Sequence, residues 1–348
     1  MVAREPEASI RTAATLLGPL GRRDVPLGPF TTFRIGGPAA LFVRLDTEAD
    51  VPAVQRAVAE SGIEVLVIGQ GSNLLIGDQG FAGLAVQLGE RFSSIELITD
   101  ARLDRRDRLR LLRAGGAVKL PVLARRSVAL GLQGLVWAVG VPGSVGGGVR
   151  MNAGGHGSDM AASVRDASLC DLRVPGSGIR VVSIGDLGLG YRRSAIGSTD
   201  LVVSATFALE PGDRHACEAE LGEIVRWRRS HQPGGANCGS VFTNPDGDSA
   251  GRLIDQAGLR GLRLGTASVS EKHANFIQAD DQGRCADVWA LIVTVRRRVH
   301  DRFGIWLHPE VRTAGFDAAL DDTGHREMTT RPTSTPPTPT APSGRKLP

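Results

Sequence analysis

At 348 residues the chain is long enough for two or three units with cores of their own. Its 41% apolar and 22% charged residues exclude a disordered polymer, and no apolar run approaches the roughly 20 residues of a bilayer span. The net charge of +4 lends little support to nucleic-acid binding, because Arg331, Arg345 and Lys346 lie in an acid-free C-terminal stretch and the body is close to neutral.

The opening MVAREPEASIRTAATLLGPLGRRDV carries acids and lacks an apolar core followed by a small-residue cleavage site, so it does not read as a secretory signal. Cys170, Cys217, Cys238 and Cys285 are isolated, with no C-x-x-C pair. That spacing argues against a zinc site or a disulfide framework; no metal is expected, and a reducing cytoplasm is the simplest location.

Ala40–Val43 reads as a strand, followed by a helix capped by Thr47 with Asp50, striped by Val51, Val54 and Val58 and ended by Gly62. Val65–Ile68 is a buried strand running into a glycine loop. Residues 91–118 resemble a strand pair around the charged turn ARLDRRDR, and Leu120, Leu123 and Val128 mark a short helix ending at Gly131. A second glycine-rich stretch spans Gly140–Gly157, and Asp200–Phe207 is the clearest of the strands that follow. Beyond Pro211 the pattern turns helical, over 216–231, from Ser249 and over 286–303. The last helix has the stripe Val288, Leu291, Ile292, Val295, Val299 and Phe303. Its Arg296-Arg297-Arg298 cluster reads as a solvated face complementing the helix dipole. The closing TTRPTSTPPTPTAPS cannot bury enough apolar surface to order itself.

The chemistry-bearing stretches are weak one by one. Gly69-Gln70-Gly71-Ser72-Asn73 and Gly140-Val141-Pro142-Gly143-Ser144 are loops whose exposed N–H groups could approach an anion, or ordinary tight turns. Neither is a Walker motif, and Leu74 breaks the Rossmann spacing. Gly190-Tyr191-Arg192 holds the single tyrosine beside an arginine able to fork onto a carboxylate. Ser240 lacks a G-x-S-x-G elbow, and Cys238 reads as a small buried filler. Ser270-Glu271-Lys272-His273-Ala274-Asn275-Phe276 holds one of only two lysines outside the C-terminal stretch. His308-Pro309-Glu310-Val311-Arg312 sets an acid and a base on one side of an extended segment.

Together and in this order, TTFRIGGPA (31–39), VIGQGSNLLI (67–76), GVPGSVGGGVRMNAGGHG (140–157), GYRRS (190–194), GSVFTNP (239–245), SAGRLIDQAGLRGLRLGTASVSEKHANFI (249–277) and FGIWLHPEVRTAG (303–315) resemble the UDP-N-acetylenolpyruvoylglucosamine reductase family. This family is also called UDP-N-acetylmuramate dehydrogenase. The likeness runs from about residue 28 to 316. It implies an α+β chain: an N-terminal extension (1–27), an FAD-binding region of the para-cresol methylhydroxylase type in two subdomains (28–210), a smaller α+β substrate domain (211–316) with a returning strand near 306–315, and a disordered tail (317–348).

The resemblance further implies a cytoplasmic flavoprotein of peptidoglycan precursor synthesis, with FAD held non-covalently, NADPH as hydride donor and UDP-N-acetylglucosamine enolpyruvate as substrate, but no nucleic-acid or membrane partner. Gly69, Gly71, Ser72, Asn73, Gly143, Ser144, Gly147, Asn152 and Ala153 would line the FAD diphosphate, and His156 need not attach the flavin. Hydride addition to the enolpyruvyl group pushes charge into its carboxylate, which preorganised donors must stabilise. Arg192 matches the family's arginine on that carboxylate, Glu310 its acidic partner and Ser240 its proton donor. Glu310 is useful beside a second carboxylate only when protonated, so its pKa is expected to be raised with substrate bound. Tyr191, Asn244, Lys272 and Arg312 match positions around the substrate and its diphosphate. With Tyr191 the sole tyrosine, the loop tyrosine that one structural type closes over UDP is absent, and the chain resembles the shorter second type. Cys238 stands where alanine is usual and would confer sensitivity to thiol reagents without a catalytic role. The competing functions are a flavin-dependent alcohol oxidase of the same superfamily and a catalytically silent UDP-sugar binder.

Overall fold

The side-chain periodicity of the strands sorts the buried side chains of three regions into four clusters, two of them on opposite faces of the first sheet. The structure, a computed structural model, describes residues 5–98 and 109–316. The charged turn at 101–108 and the Pro/Thr/Ser-rich tail lie outside the described residues.

The first layer contains α1 (Pro6–Leu17), β1 (Arg22–Pro26), β2 (Pro38–Leu45), α2 (Val51–Ser61), β3 (Val65–Ile68), β4 (Leu74–Ile76) and β5 (Phe81–Leu88). Its sheet runs β1-β2-β5-β3, with β1 antiparallel to β2 and the other pairs parallel. Alternation along β2 sends Leu41, Val43 and Leu45 under the helices and Phe42 to the opposite face. α2 carries Val51, Val54 and Val58 on the buried side and stops at Gly62, whose φ of 66° is a left-handed cap. Thr47 N–H donates to the Asp50 carboxylate at 2.9 Å, as its expected cap. Residues 6–26 supply a helix and an edge strand to this layer, with Ala13 and Leu17 fully inside, so they are part of the fold rather than an extension.

The second layer is antiparallel. It comprises β6 (Ile95–Ile98), β7 (Arg110–Gly115), α3 (Leu120–Ala129), β8 (Leu132–Gln133), α4 (Val145–Met151), the short hairpin β9 (Gly154–Gly155) and β10 (Ser158–Asp159), β11 (Val164–Asp171), β12 (Arg180–Ser183) and β13 (Asp200–Pro211). The strand order is β12-β11-β13-β7-β6, with β8 added to β13. α5 (Arg214–His231) starts just past β13 and buries Cys217 and Ile224 in this second core. The expected boundary at 211 therefore does not divide the cores: the helix after it packs backwards onto α3 and the sheet.

The third core gathers α6 (Ala250–Gln256), β14 (Arg263–Leu264), β15 (Ala267–Val269), β16 (Ile277–Ala279) and α7 (Cys285–Phe303). Ser249 caps α6 by accepting from Arg252 N. The returning strand β17 (Arg312–Ala314) pairs in parallel with β4, carrying the end of the third region onto the loop that follows β3. All of this forms one compact unit up to Phe316. Among the described residues no helix is long and apolar enough to cross a membrane.

The arginine cluster of α7 departs from the solvated reading. Arg296 is 4% exposed, its Nε donating to Leu307 O at 2.8 Å and its guanidinium lying 5.4 Å from the Trp306 ring centre. It thus anchors the segment leading to Glu310, while Arg297 and Arg298 are exposed. Removing a charged donor from a buried carbonyl costs roughly 1.5–3 kcal/mol. Urea unfolding should register that loss for Arg296→Met, and changes within about 0.5 kcal/mol for Arg297→Met and Arg298→Met.

Candidate active site

Two turns that only small residues permit face each other across a wide cavity. Gly71 has φ of +57°, and a Cβ there would stand 2.0 Å from Phe30 O; a Cβ on Gly69 would stand 2.4 Å from Ser144 Oγ. Ser72 Oγ donates to Pro142 O at 3.1 Å, tying the first loop to the second. Ser144 caps α4 by accepting from Gly147 N at 3.3 Å. The second glycine stretch is therefore half helix, and its small residues at 146–148 let the α4 backbone approach the cavity.

That cavity holds about 660 Å³ and continues into a narrow recess of about 60 Å³ walled by Ile68, Leu88 and Val202. Among the described residues its charged lining is four arginines, Arg150, Arg192, Arg228 and Arg312, with Glu310 as the single acid. Burial lowers the pKa of Arg150 and Arg228, and Arg312 nearby lowers Arg150 further. Such a wall favours polyanionic ligands with extended contact along the loops.

Three segments far apart in sequence meet at one end. Arg192, at a left-handed φ of 54°, places Nε 3.0 Å from Glu310 Oε1 and donates through Nη2 to Gly154 O at 3.1 Å. Its Nε–H is not aligned with the carboxylate and has no hydrogen-bond partner among the described residues, which leaves a buried donor at the cavity. Burial raises the Glu310 pKa, against the opposing pull of Arg192 and Arg312. Burial alone thus already shifts Glu310 in the direction expected for the substrate-bound site. Ser240 also lines the cavity and makes no hydrogen bond among the described residues. Backbone pairing holds it beside Glu310: Glu310 N donates to Val241 O at 2.7 Å, and Thr243 N to His308 O at 3.0 Å.

Gly69, Gly71, Ser72, Asn73, Gly143, Ser144, Gly147 and Ala153 line the cavity, as do Asn244 and Arg312. Asn73 does so with its side chain turned to protein: Nδ2 donates to Glu310 O at 3.0 Å. Asn244 Oδ1 accepts from Ala250 N at the start of α6. Three expected contacts lie elsewhere. Asn152 is buried behind the wall, donating to Asp159 and Gly190 O and accepting from Ala161 N. Tyr191 is 61% exposed and does not line the cavity; its ring lies against the outer side of Arg192, whose guanidinium carbon is 5.3 Å from the ring centre. Lys272 donates to Arg229 O at 2.6 Å, capping the end of α5. Residues missed in the sequence are Arg150, His156, Trp227, Arg228 and Gln232, which line the cavity from α4, the β9–β10 turn and the end of α5. Arg150 and His156 sit inside the second glycine stretch, whereas Trp227, Arg228 and Gln232 had as signal only an arginine-rich helix end, which helix-dipole complementarity explains equally well.

Residues 231–314 match the family described as UDP-N-acetylenolpyruvoylglucosamine reductase, C-terminal domain, and residues 39–174 match the FAD binding domain family. A UDP-N-acetylenolpyruvoylglucosamine reductase of Heliobacterium modesticaldum is 43% identical over 305 residues, 87% of this chain and 93% of that one. One of Symbiobacterium thermophilum, named reductase 2, is 40% identical over 299 residues, 85% and 92% of the two chains. The crystal structure of the reductase from Thermus caldophilus superposes with a TM-score of 0.70 at 30% identity, covering 84% of this chain and 99% of that one. The chain belongs to the UDP-N-acetylenolpyruvoylglucosamine reductase family. It is an α+β flavoprotein oxidoreductase.

The site fits FAD on its own geometry. The paired glycine loops form a cradle whose floor a Cβ would fill, and the arginine wall matches a diphosphate. The sensitivity to thiol reagents expected of Cys238 does not follow from its setting: it is 6% exposed and burial pushes its pKa up to about 12. All four cysteines are free and buried. A disulfide reagent at pH 8 should therefore find no fast thiol in the native protein and all four after denaturation. Asn152→Ala should lower unfolding stability by about 1–3 kcal/mol through the donors and acceptors it strands, measured by urea denaturation.

Proposed function

We propose that this protein reduces UDP-N-acetylglucosamine enolpyruvate to UDP-N-acetylmuramate at the expense of NADPH, in the cytoplasm, as a step of peptidoglycan precursor synthesis. The single observation that carries the reading is the meeting of Arg192, Glu310 and Ser240 at one end of a glycine- and arginine-lined cavity. When bound along the two loops, FAD supplies the hydride that it receives from NADPH.

Gly69, Gly71, Ser72, Gly143, Ser144, Gly147 and Ala153 would hold the cofactor's diphosphate, with Arg150 on the same wall, its guanidinium oriented by Ile196 O and Gly197 O. Arg312 and Arg228 flank the substrate diphosphate, and Asn244 its sugar. Arg192 directs its free Nε–H toward the enolpyruvyl carboxylate. Glu310, whose proton burial makes harder to lose, in its protonated form adds an O–H donor to the same group instead of repelling it. As the terminal carbon of the double bond gains hydride, the adjacent carbon becomes basic and takes the Ser240 proton, which solvent then restores. The products are a saturated lactyl ether and NADP⁺.

A hydroxyl is a weak acid in water yet an adequate donor to so strong a base. Ser240→Ala should leave bleaching of the flavin absorbance by NADPH unchanged and slow its recovery on adding the UDP sugar by about 10²–10⁴-fold. Wild-type protein that bleaches and does not recover with this substrate overturns the assignment. Because Glu310 must carry its proton, recovery should fall as pH rises through its elevated pKa. That descending limb should vanish in Glu310→Gln, whose amide donates at every pH, as stopped-flow pH profiles would reveal.

A further inference from the structure

The S-E-K-H-A-N-F stretch remains only partly used: Lys272 caps a helix, Phe276 lines the cavity, and Asn275 touches neither substrate cavity nor solvent. Asn275 is 4% exposed and makes a closed pair with the backbone N–H and C=O of one residue thirty-three positions away. Its Nδ2 donates to Phe242 O at 2.8 Å, and its Oδ1 accepts from Phe242 N at 3.0 Å. Val241 N adds a third bond, to the Asn275 carbonyl, at 2.9 Å. The amide orientation is fixed by these partners, since the flipped group would face donor with donor and acceptor with acceptor. The side chain occupies the place of a missing strand neighbour.

What it holds matters more than that it holds. The opposite edge of the same two residues pairs with the Glu310 segment, where Glu310 N donates to Val241 O and Phe242 bridges Pro309. Ser240 is the next residue, following Gly239 at φ of +82°, and has no side-chain bond of its own to fix it. Asn275 itself is set by a turn in which its N–H donates to His273 Nδ1 at 3.2 Å and Phe276 N donates to His273 O at 3.0 Å.

We propose that Asn275 is a positioning residue for the proton-transfer half of the reaction: by standing in for a β-strand against Phe242 it keeps Ser240 in register with Glu310. This rests on the reading of Ser240 as proton donor. It makes the S-E-K-H-A-N-F stretch a bracket for the donor in place of a substrate contact.

A displacement of order 1 Å at a reacting group can cost about 10²-fold in rate. Asn275→Asp retains the shape and loses the donor, while Asn275→Ser removes the pair and leaves no buried charge. In anaerobic stopped flow both variants should keep flavin content and the NADPH bleaching rate, and slow recovery with the UDP sugar by about 10–10²-fold, as a kcat effect with KM nearly unchanged. Combined with Ser240→Ala, Asn275→Ser should slow recovery no further, because the group being positioned is gone. Amide hydrogen exchange should quicken at Val241 and Phe242 and not in α4. Equal slowing of both half-reactions, or a full additional loss in the Ser240→Ala background, would mark Asn275 as merely structural and overturn the proposal. Failure of wild-type recovery would instead strike the reading of the reaction, so the two failures are separable.

Discussion

A carboxyl group 3.0 Å from a guanidinium is ordinarily among the easiest to ionise, and Glu310 is harder to ionise than a carboxyl in water. Two effects of opposite sign meet there. Pairing with Arg192 and the nearby Arg312 favours the anion; removal from solvent disfavours it, and the second wins. A well-formed forked bond would hold the carboxylate as an anion, whereas a close but misdirected contact leaves both groups with unspent donor and acceptor capacity. The pair is therefore poised to accept a third, negatively charged partner.

The chain spends much of its topology on bringing that pair together. Arg192 comes from a tight turn after β12, held from behind by Asn152 through the Gly190 carbonyl. Glu310 comes from the segment between α7 and β17, fixed by Arg296 on the Leu307 carbonyl, by Asn73 on its own carbonyl and by the parallel pairing of β17 with β4. The loop that cradles the cofactor and the segment that carries the acid are consequently one hydrogen-bonded piece: Asn73 donates to Glu310 O and Arg312 N donates to Asn73 O. Whatever orders the first loop also orders the acid.

Much of this was legible in the sequence, and the rest was obscured for identifiable reasons. The helices from Val51, Leu120 and Cys285 follow from apolar spacing with glycine at their ends, and the glycine loops from their own composition. Tyr191 and Arg192 share a motif and touch, yet only Arg192 reaches the cavity while the ring stays on the solvent side, which one-dimensional adjacency conceals. Lys272 carries a charge suited to a diphosphate, yet it is spent on a helix end. Arg228 lies among Arg226 and Arg229 on a helix that reads as solvated, and only packing of α5 against the second core turns that one arginine into the cavity. Arg296 misled in the same way. Periodicity finds which face of a helix is apolar; it does not find which cation on the boundary is drawn in.

The electrostatics of the cavity divide affinity from selectivity. Four guanidiniums attract any nucleotide diphosphate, and since arginine remains charged throughout the physiological range even when burial lowers its pKa, this attraction carries no information about which nucleotide has arrived. Discrimination belongs to the one acid. A ligand that brings a carboxylate to Arg192 must share the place with Glu310, which is tolerable only while Glu310 holds its proton, and such a ligand gains two donors in return. A ligand without a carboxylate at that end gains neither. The same residue thus admits the substrate and ties the catalytic step to a protonation state, and both properties follow from burying a carboxyl group deeper than its arginine can repay.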